Sequence, residues 1–198
     1  EPLDDLPEAH RAEARHVIAE SLARFEARHP CVPRNRPAIE EVREVWRRSG
    51  GRTAKLGFPE LTAWYESQLA GMHDLHFFRS ASLRFDPDAL VPAAERARWM
   101  SLPDAVEIRD RAIAMHYEVE EQPDGTMRGV ARLQMPEKLA RTLVKEELPV
   151  LDRPLRFVVT RGARGTVRAD TLGEVQELLA RPWSAEEGPQ GRNRDGRD

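Results

Sequence analysis

Apolar residues recur at helical spacing along the first part of the chain. This spacing predicts a helix over residues 7–29, which the prolines that follow are expected to end. Its apolar face comprises Ala14, Val17, Ile18, Leu22 and Phe25. The same spacing predicts helices over residues 37–48 and 59–71. We therefore interpret residues 1–72 as a helical subdomain.

Residues 73–101 show no dominant spacing. Pro92 is typical of a helix start and predicts a short helix over residues 92–100. Asp86, Pro87 and Asp88 are typical of a turn. We interpret residues 73–101 as a connector that carries one short helix.

From Leu102 onward the helical period gives way to alternation, which predicts β-strands. The alternating apolar positions are Val106, Ile108, Ile113, Met115, Tyr117 and Val119. Pro123, Asp124 and Gly125 predict a turn, because proline fixes φ and glycine accepts the positive φ that follows. A return strand then ends at Met135, and a later strand contains Leu155, Phe157 and Val159.

Two helices accompany these strands. Pro136 is expected to open the first, with Leu139, Leu143 and Val144 facing the core. Thr171 and Glu174 have the spacing of a capping box, which predicts the start of the second. The buried positions expected in that helix are Leu172, Val175, Leu178 and Leu179.

The predicted fold class is α+β, with a helical N-terminal part followed by a small antiparallel sheet and two packed helices. The α+β domain is assigned to residues 102–183. Residues 184–198 contain no apolar residue beyond Ala185, and we expect this tail to be disordered.

Composition narrows the class of protein. The 198 residues are 40% hydrophobic and 33% charged, with a net charge of −3 and a single cysteine, Cys31. These values predict a globular protein without a disulfide framework, and the reducing cytoplasm is the expected compartment. No apolar run approaches the ~20 residues that a membrane span needs, so no membrane partner is expected. Because the chain begins at Glu1 with a linker-like segment, we expect it to be cut from a longer protein.

No catalytic, cofactor-binding or metal-binding motif is evident. The chain lacks a phosphate-binding loop of the Walker type, and Gly50 and Gly51 are typical of a helix end. His73 and His76 have a metal-like spacing, but no patterned third ligand accompanies them. Cys31 lies near His29, yet a partly buried structural thiol is the favoured interpretation. We predict no catalytic residue, no metal and no cofactor.

An arginine cluster is the strongest functional signal. Its members are Arg153, Arg156, Arg161, Arg164 and Arg168, with Asp152 as the one acid beside them. Residues 160–166 are expected to form a tight basic turn between two strands, and guanidinium groups with exposed backbone amides suit phosphate. The alternative is a surface hairpin whose arginines pair with acids on neighbouring elements.

Aromatic residues offer a second candidate surface. Phe77, Phe78 and Arg79 lie in an irregular segment and form a possible stacking or docking group. Trp46, Trp64 and Tyr65 lie at core-facing helical positions, where packing is favoured over base stacking.

The region from residue 102 to residue 183 resembles the C-terminal accessory region of bacterial DEAH-box RNA helicases of the HrpA/HrpB-like group. The resemblance rests on an ordered set of segments rather than on one motif. These are LPDAVEI from Leu102, AMHYEV from Ala114, the strand from Gly129 to Met135, LPVLDRPL from Leu148, and RGTVR from Arg164 followed by Thr171, Leu172 and Trp183. The upstream segment FDPDAL from Phe85 is similar to the lead-in of that region.

The resemblance implies a non-catalytic accessory module. Its expected partners are single-stranded RNA or DNA, contacted weakly through the backbone, and the helicase core domains of a parent chain. None of the family's ATPase residues has a counterpart here. The alternatives are a protein-interaction module that binds no nucleic acid, and a stand-alone enzyme built on His73, His76 and scattered carboxylates.

Overall fold

The structure is a computed structural model that describes residues 7–72, 75–161 and 165–181. The chain divides into two compact units, Glu1–Ser101 and Leu102–Asp198. The segment interpreted from the sequence as a connector, residues 73–101, falls within the first unit. Trp183 and the tail 184–198 lie outside the described residues.

Helices build the first unit. Their bounds are α1 Glu8–Ala23, α2 Cys31–Arg48, α3 Phe58–Gln68, α4 Leu75–Ser80 and α5 Ala93–Met100, with a 3₁₀ turn at Pro87–Ala89. α1 packs on α3, and α2 packs on α5. The largest wholly buried side chains of this unit are Leu22, Ile39, Val42, Leu61, Tyr65 and Leu69.

The prediction for the first two helices was wrong at the loop between them. α1 ends at Ala23 rather than near residue 29, and Phe25 adopts a left-handed φ of 62°. α2 begins at Cys31 rather than at residue 37. Pro33 lies in its first turn, where a backbone amide has no helical partner to lose. Pro37, with which the predicted second helix began, lies inside α2 rather than at its start.

A buried asparagine ties an extended segment to α2. The side-chain amide of Asn35 donates to the Leu83 carbonyl at 2.7 Å and to the Tyr65 hydroxyl at 3.3 Å. Its carbonyl accepts from the Phe85 amide at 3.2 Å. Because Asn35, Leu83 and Phe85 are all buried, each of these polar groups depends on the others for a hydrogen bond.

Replacing Asn35 is expected to destabilise the first unit. Asn35→Leu keeps the side chain's approximate size but leaves the Leu83 carbonyl and the Phe85 amide buried without partners. We expect a loss of roughly 2–5 kcal/mol in the free energy of unfolding, measured by urea denaturation. Gln68→Leu, the same type of change at an exposed position of α3, is the control and should change stability little. Equal effects of both substitutions would contradict this role for Asn35.

A five-stranded sheet builds the second unit. The strands are β1 Ala105–Ile108, β2 Arg111–Glu121, β3 Met127–Pro136, β4 Leu155–Arg161 and β5 Gly165–Ala169, and they lie in the sheet in chain order. The predicted turn between β2 and β3 is confirmed, with Gly125 at a φ of 79°. The α+β class is also confirmed.

The sheet is mixed rather than wholly antiparallel. Three of its strand pairs are antiparallel, as predicted, but β3 pairs with β4 in parallel, for example at Leu133 and Phe157. Parallel neighbours need a connection that returns across the sheet. The helix predicted after Pro136 belongs to that connection, as α6 Glu137–Ala140, followed by a 3₁₀ turn at Lys145–Glu147.

Two helices cover one face of this sheet. α7 Leu172–Ala180 begins at Thr171, whose hydroxyl accepts from the Glu174 amide, while the Glu174 carboxylate accepts from the Asp170 amide. In a capping box the Glu174 carboxylate would accept from the Thr171 amide. Here it accepts from the Asp170 amide instead. The buried cluster beneath the helices includes Met115, Leu133, Met135, Leu139, Leu143, Phe157, Val159, Val175 and Leu179. Val144 was predicted to join it, but its side chain is 49% exposed.

None of the helices in the described ranges combines the length and apolar character needed to cross a membrane.

Candidate functional site

Arg153 and Arg156 are both paired with acids. Arg153 bonds the Asp152 carboxylate at 2.7 Å, and its guanidinium lies 5.2 Å from the centre of the Tyr117 ring. Arg156 bonds Glu120 at 2.9 Å and lies 3.2 Å from Asp170. The hydrogen bonds that Arg156 donates to the Glu120 carboxylate are the main cause that raises the pKa of Arg156 above its usual value. Both guanidinium groups are therefore largely compensated by carboxylates.

Arg161 follows the same pattern at the end of β4. Its guanidinium lies 3.4 Å from Glu137 and donates to the Arg181 carbonyl at 3.0 Å. Together these contacts favour the second interpretation of the arginine cluster, in which arginines pair with acids on neighbouring elements. Arg164 lies outside the described residues, although β4 and β5 flank the predicted basic turn.

Arg168 differs from the other arginines of the cluster. It is exposed on β5, directly opposite Val158 of β4, and makes no ion pair with any other described residue. Because side chains alternate along a strand and Phe157 and Ala169 face the helices, Arg168 lies on the opposite, open face of the sheet.

The open face of the sheet carries small and polar side chains. Those that are exposed or partly exposed are Ala112, Ala114, His116, Gln134, Val158, Thr160, Thr166 and Arg168. Two other arginines of this face are paired with acids, since Arg132 bonds Glu118 at 2.6 Å and Arg156 bonds Glu120, whereas the exposed Arg128 forms no ion pair with another described residue. These residues include no Phe, Tyr or Trp, and the imidazole of His116 is the single aromatic ring among them.

The helix-covered side of the second unit contains an apolar groove of about 650 Å³. Its walls come from the connection between β3 and β4, from β4 itself and from the start of α7. The apolar lining residues are Leu143, Val144, Leu148, Leu155, Phe157 and Leu172, and the polar ones include Arg141, Lys145, Thr171 and Gln176. Gln176 donates to the carbonyls of Ala140 and Leu143, which fixes one wall to α7. A groove of this size is typical of ligand or peptide sites.

Sequence reasoning missed this groove. Val144 was assigned to the core, whereas the structure leaves it on the groove's surface, and Val150, two positions beyond Leu148, is 99% exposed. The sequence did carry one signal of it, because neighbouring apolar residues such as Leu143 and Val144 cannot both lie on one face of a helix. The pattern alone does not show that the helix ends at Ala140.

The predicted aromatic group is only partly exposed. Phe77 of α4 has 36% of its side chain exposed, and Arg79 is exposed. Phe78 instead packs against the His29 ring at 4.8 Å between centroids. A stacking surface at this position would therefore rest on Phe77 and Arg79.

The hydrogen bonds of His29 exclude a catalytic pair with Cys31. The His29 Nδ1 accepts from the Cys31 backbone amide at 3.1 Å, and its Nε2 lies 2.9 Å from the Phe78 carbonyl, which can only accept. Both ring nitrogens are thus occupied, and neither is placed to take a proton from the thiol. Burial raises the pKa of the Cys31 thiol, which disfavours the reactive thiolate.

Cys31 is expected to react only when the protein opens. In the folded chain a disulfide-exchange reagent should modify it on the order of 100-fold more slowly than in urea, because the buried thiol needs local unfolding. The measurement is absorbance of the released thiolate. Cys31→Ala combined with Val150→Cys places the single thiol at an exposed position and should react equally fast in both conditions. Rapid native-state labelling of Cys31 would contradict its structural role.

The metal hypothesis gains no geometric support. His73 and the side chain of His76 lie outside what the structure describes. Among the described residues, no group of three or more His, Cys, Asp or Glu side chains converges.

No protein-family model, curated protein or solved structure matches this chain. The resemblance to the DEAH-box accessory region therefore stays a hypothesis.

Proposed function

We propose that this chain is a non-catalytic docking module that binds a partner protein through the apolar groove of its second unit. The observation that carries the proposal is the groove itself, about 650 Å³ in volume, whose lining includes five aliphatic side chains and Phe157 of β4. When a partner covers apolar surface that was in contact with water, the free energy of the complex falls by about 25 cal/mol for each Å² buried.

The charges around the groove indicate the chemistry of that partner. Asp170 is already close to Arg156, and Arg141 bonds Glu137 at 2.5 Å. Lys145 is exposed and forms no ion pair with another described residue. The rim therefore presents one uncompensated cation, so the complementary partner is a peptide segment with large apolar side chains beside an Asp or Glu.

The resemblance to the helicase accessory region suggests where such a segment occurs. In that hypothesis the partner is a helicase motor domain, either in a longer parent chain or in a separate protein. The compensated arginines of β4 support docking over nucleic-acid binding, because paired guanidinium groups release fewer counterions from a phosphate backbone.

The test is selection of short peptides from a displayed random library on the folded protein. We expect the enriched peptides to combine Leu, Ile or Phe with a neighbouring acid. Val144→Glu places a carboxylate in the groove at a half-exposed position and should weaken binding about tenfold or more, which is ~1.4 kcal/mol.

Val17→Glu is the matched control, since Val17 is an exposed valine on α1 of the first unit. It should leave peptide affinity unchanged. Peptides that bind Val144→Glu as well as they bind the unmodified protein would refute the groove as the binding site. Failure to enrich any sequence would refute the docking proposal as a whole.

Arg168 supports a second candidate function, weak binding of single-stranded RNA or DNA through phosphate. It is an exposed guanidinium on the open sheet face, and the exposed hydroxyls of Thr160 and Thr166 lie on the same face as additional hydrogen-bond donors. Binding by this face would be indifferent to sequence, because no element is placed to read base edges.

Fluorescence anisotropy with labelled single strands across a salt series tests this candidate. If Arg168 contacts phosphate, Arg168→Ala should weaken binding to all sequences alike and lower the salt slope by about 1. Lys145→Ala makes the same charge change on the groove side and should have little effect. Absence of binding even at low salt would remove nucleic acid from the candidate partners.

A further inference from the structure

A second, smaller cavity lies between the β1–β2 turn and α6. It has a volume of about 260 Å³ and is lined by Arg109, Arg111, Lys138, Leu139 and Thr142. Three of these five residues are cationic and none is acidic. The cavity shares only Thr142 with the apolar groove.

The backbone places the two arginines in the lining of this cavity. β1 ends at Ile108 and β2 begins at Arg111, so Arg109 and Asp110 form a two-residue turn. Both turn residues have a positive φ, 50° and 59°, as in the type I′ turns that join antiparallel strands. The turn brings Arg109 and Arg111 into one cavity lining with Lys138 and Leu139 of α6.

Arg109 is fixed in orientation by the connection between β3 and β4. Its Nε and one terminal nitrogen bond the two oxygens of Glu147 at 2.5 and 2.6 Å. The same guanidinium donates to the Thr142 hydroxyl at 2.8 Å and to the Thr142 carbonyl at 2.7 Å. A guanidinium has five N–H donors, so one remains for a ligand, and Glu147 compensates its charge.

Arg111 and Lys138 supply the uncompensated charge. Both are exposed, and neither forms an ion pair with another residue in the described ranges. Asp110, between the two arginines in sequence, is exposed and is not part of the cavity lining. The site therefore has a surplus of two positive charges beside a neutralised, rigid guanidinium.

We infer that this cavity binds a phosphate monoester. A phosphate monoester carries about −1.5 to −2 charges at pH 7, which matches the surplus of two, whereas a single carboxylate would leave one cation uncompensated. The volume exceeds that of a phosphate group alone, so the buried Leu139 offers an apolar wall to the organic part of the ligand. The inference is independent of the docking groove.

Calorimetric titration at constant ionic strength tests the assignment. The probes are inorganic phosphate, a nucleoside 5′-monophosphate, and a short oligonucleotide with either a 5′-phosphate or a 5′-hydroxyl. We expect the monophosphate to bind more tightly than inorganic phosphate, because it also contacts Leu139. Preference for the 5′-phosphorylated strand over the mononucleotide would identify the ligand as a nucleic-acid end, and the reverse order would identify a small phosphorylated molecule.

Arg111→Gln and Lys138→Gln together should reduce monophosphate affinity at least tenfold. Both side chains are exposed, so the double variant should keep its folded structure, which its unfolding curve would verify. Arg28→Gln and Arg84→Gln together, two exposed arginines of the first unit with the same total charge change, form the control and should bind as the unmodified protein does. No measurable binding of any phosphate probe, or equal losses in the two double variants, would overturn the assignment.

Discussion

The parallel pairing of β3 with β4 is the constraint on which the second unit depends. Antiparallel neighbours can be joined by a tight turn, but parallel ones require a connection that crosses a face of the sheet. Here that connection runs from Glu137 to Pro154 and provides α6, the buried Leu143 and the exposed Val144. The connection contributes lining residues to the apolar groove and to the smaller cavity of Arg109, Arg111 and Lys138 (the cationic cavity), and Thr142 lines both. Both candidate sites thus follow from one topological requirement.

Charge pairing determines which cations remain available to a partner. Arg132, Arg153, Arg156 and Arg161 each lie within ion-pair distance of a carboxylate. Pairs of this kind contribute little to stability when exposed, and the cost of desolvation offsets their attraction when buried. Their main consequence is that the charges of these four arginines of the second unit are compensated by carboxylates. No such carboxylate lies beside four other cations among the described residues: Arg111 and Lys138 of the smaller cavity, Lys145 of the groove and Arg168 of the open sheet face.

The first unit depends on a different interaction, the hydrogen bonds of Asn35. One buried amide satisfies polar groups on Leu83, Phe85 and Tyr65, and so fixes the segment around residue 84 beside α2 and α3. In the same part of the unit, Trp64 packs against Phe85, and the centroids of the two rings lie 5.2 Å apart. His29 has a comparable role for α4, because it donates to the Phe78 carbonyl and packs against the Phe78 ring. These polar contacts occupy both ring nitrogens of His29, so neither is placed to take a proton from the Cys31 thiol.

The sequence by itself determined the local elements whose signals are short in range. Alternation of apolar residues identified β2 and β3, glycine marked their turn at Gly125, and Thr171 with Glu174 marked the start of α7. Helical periodicity likewise located α3, and Pro92 marked the start of α5. Such features depend on the conformational preferences and side-chain hydrogen bonds of residues a few positions apart. Because these interactions join residues close in sequence, the elements can be predicted without knowledge of the fold.

Only the tertiary structure decided the direction of β4 relative to β3, the partners of the arginines and the surface position of Val144. Arg156 and Glu120 are 36 positions apart, and Arg109 and Glu147 are 38 positions apart. No local pattern encodes such distances. The cationic cavity was missed for the same reason, because Arg109 and Arg111 come from a strand turn and Lys138 from a helix that the crossing connection brings beside it. Compensation of charge and exposure of apolar surface are properties of the packed chain, and packing is determined by all the elements together.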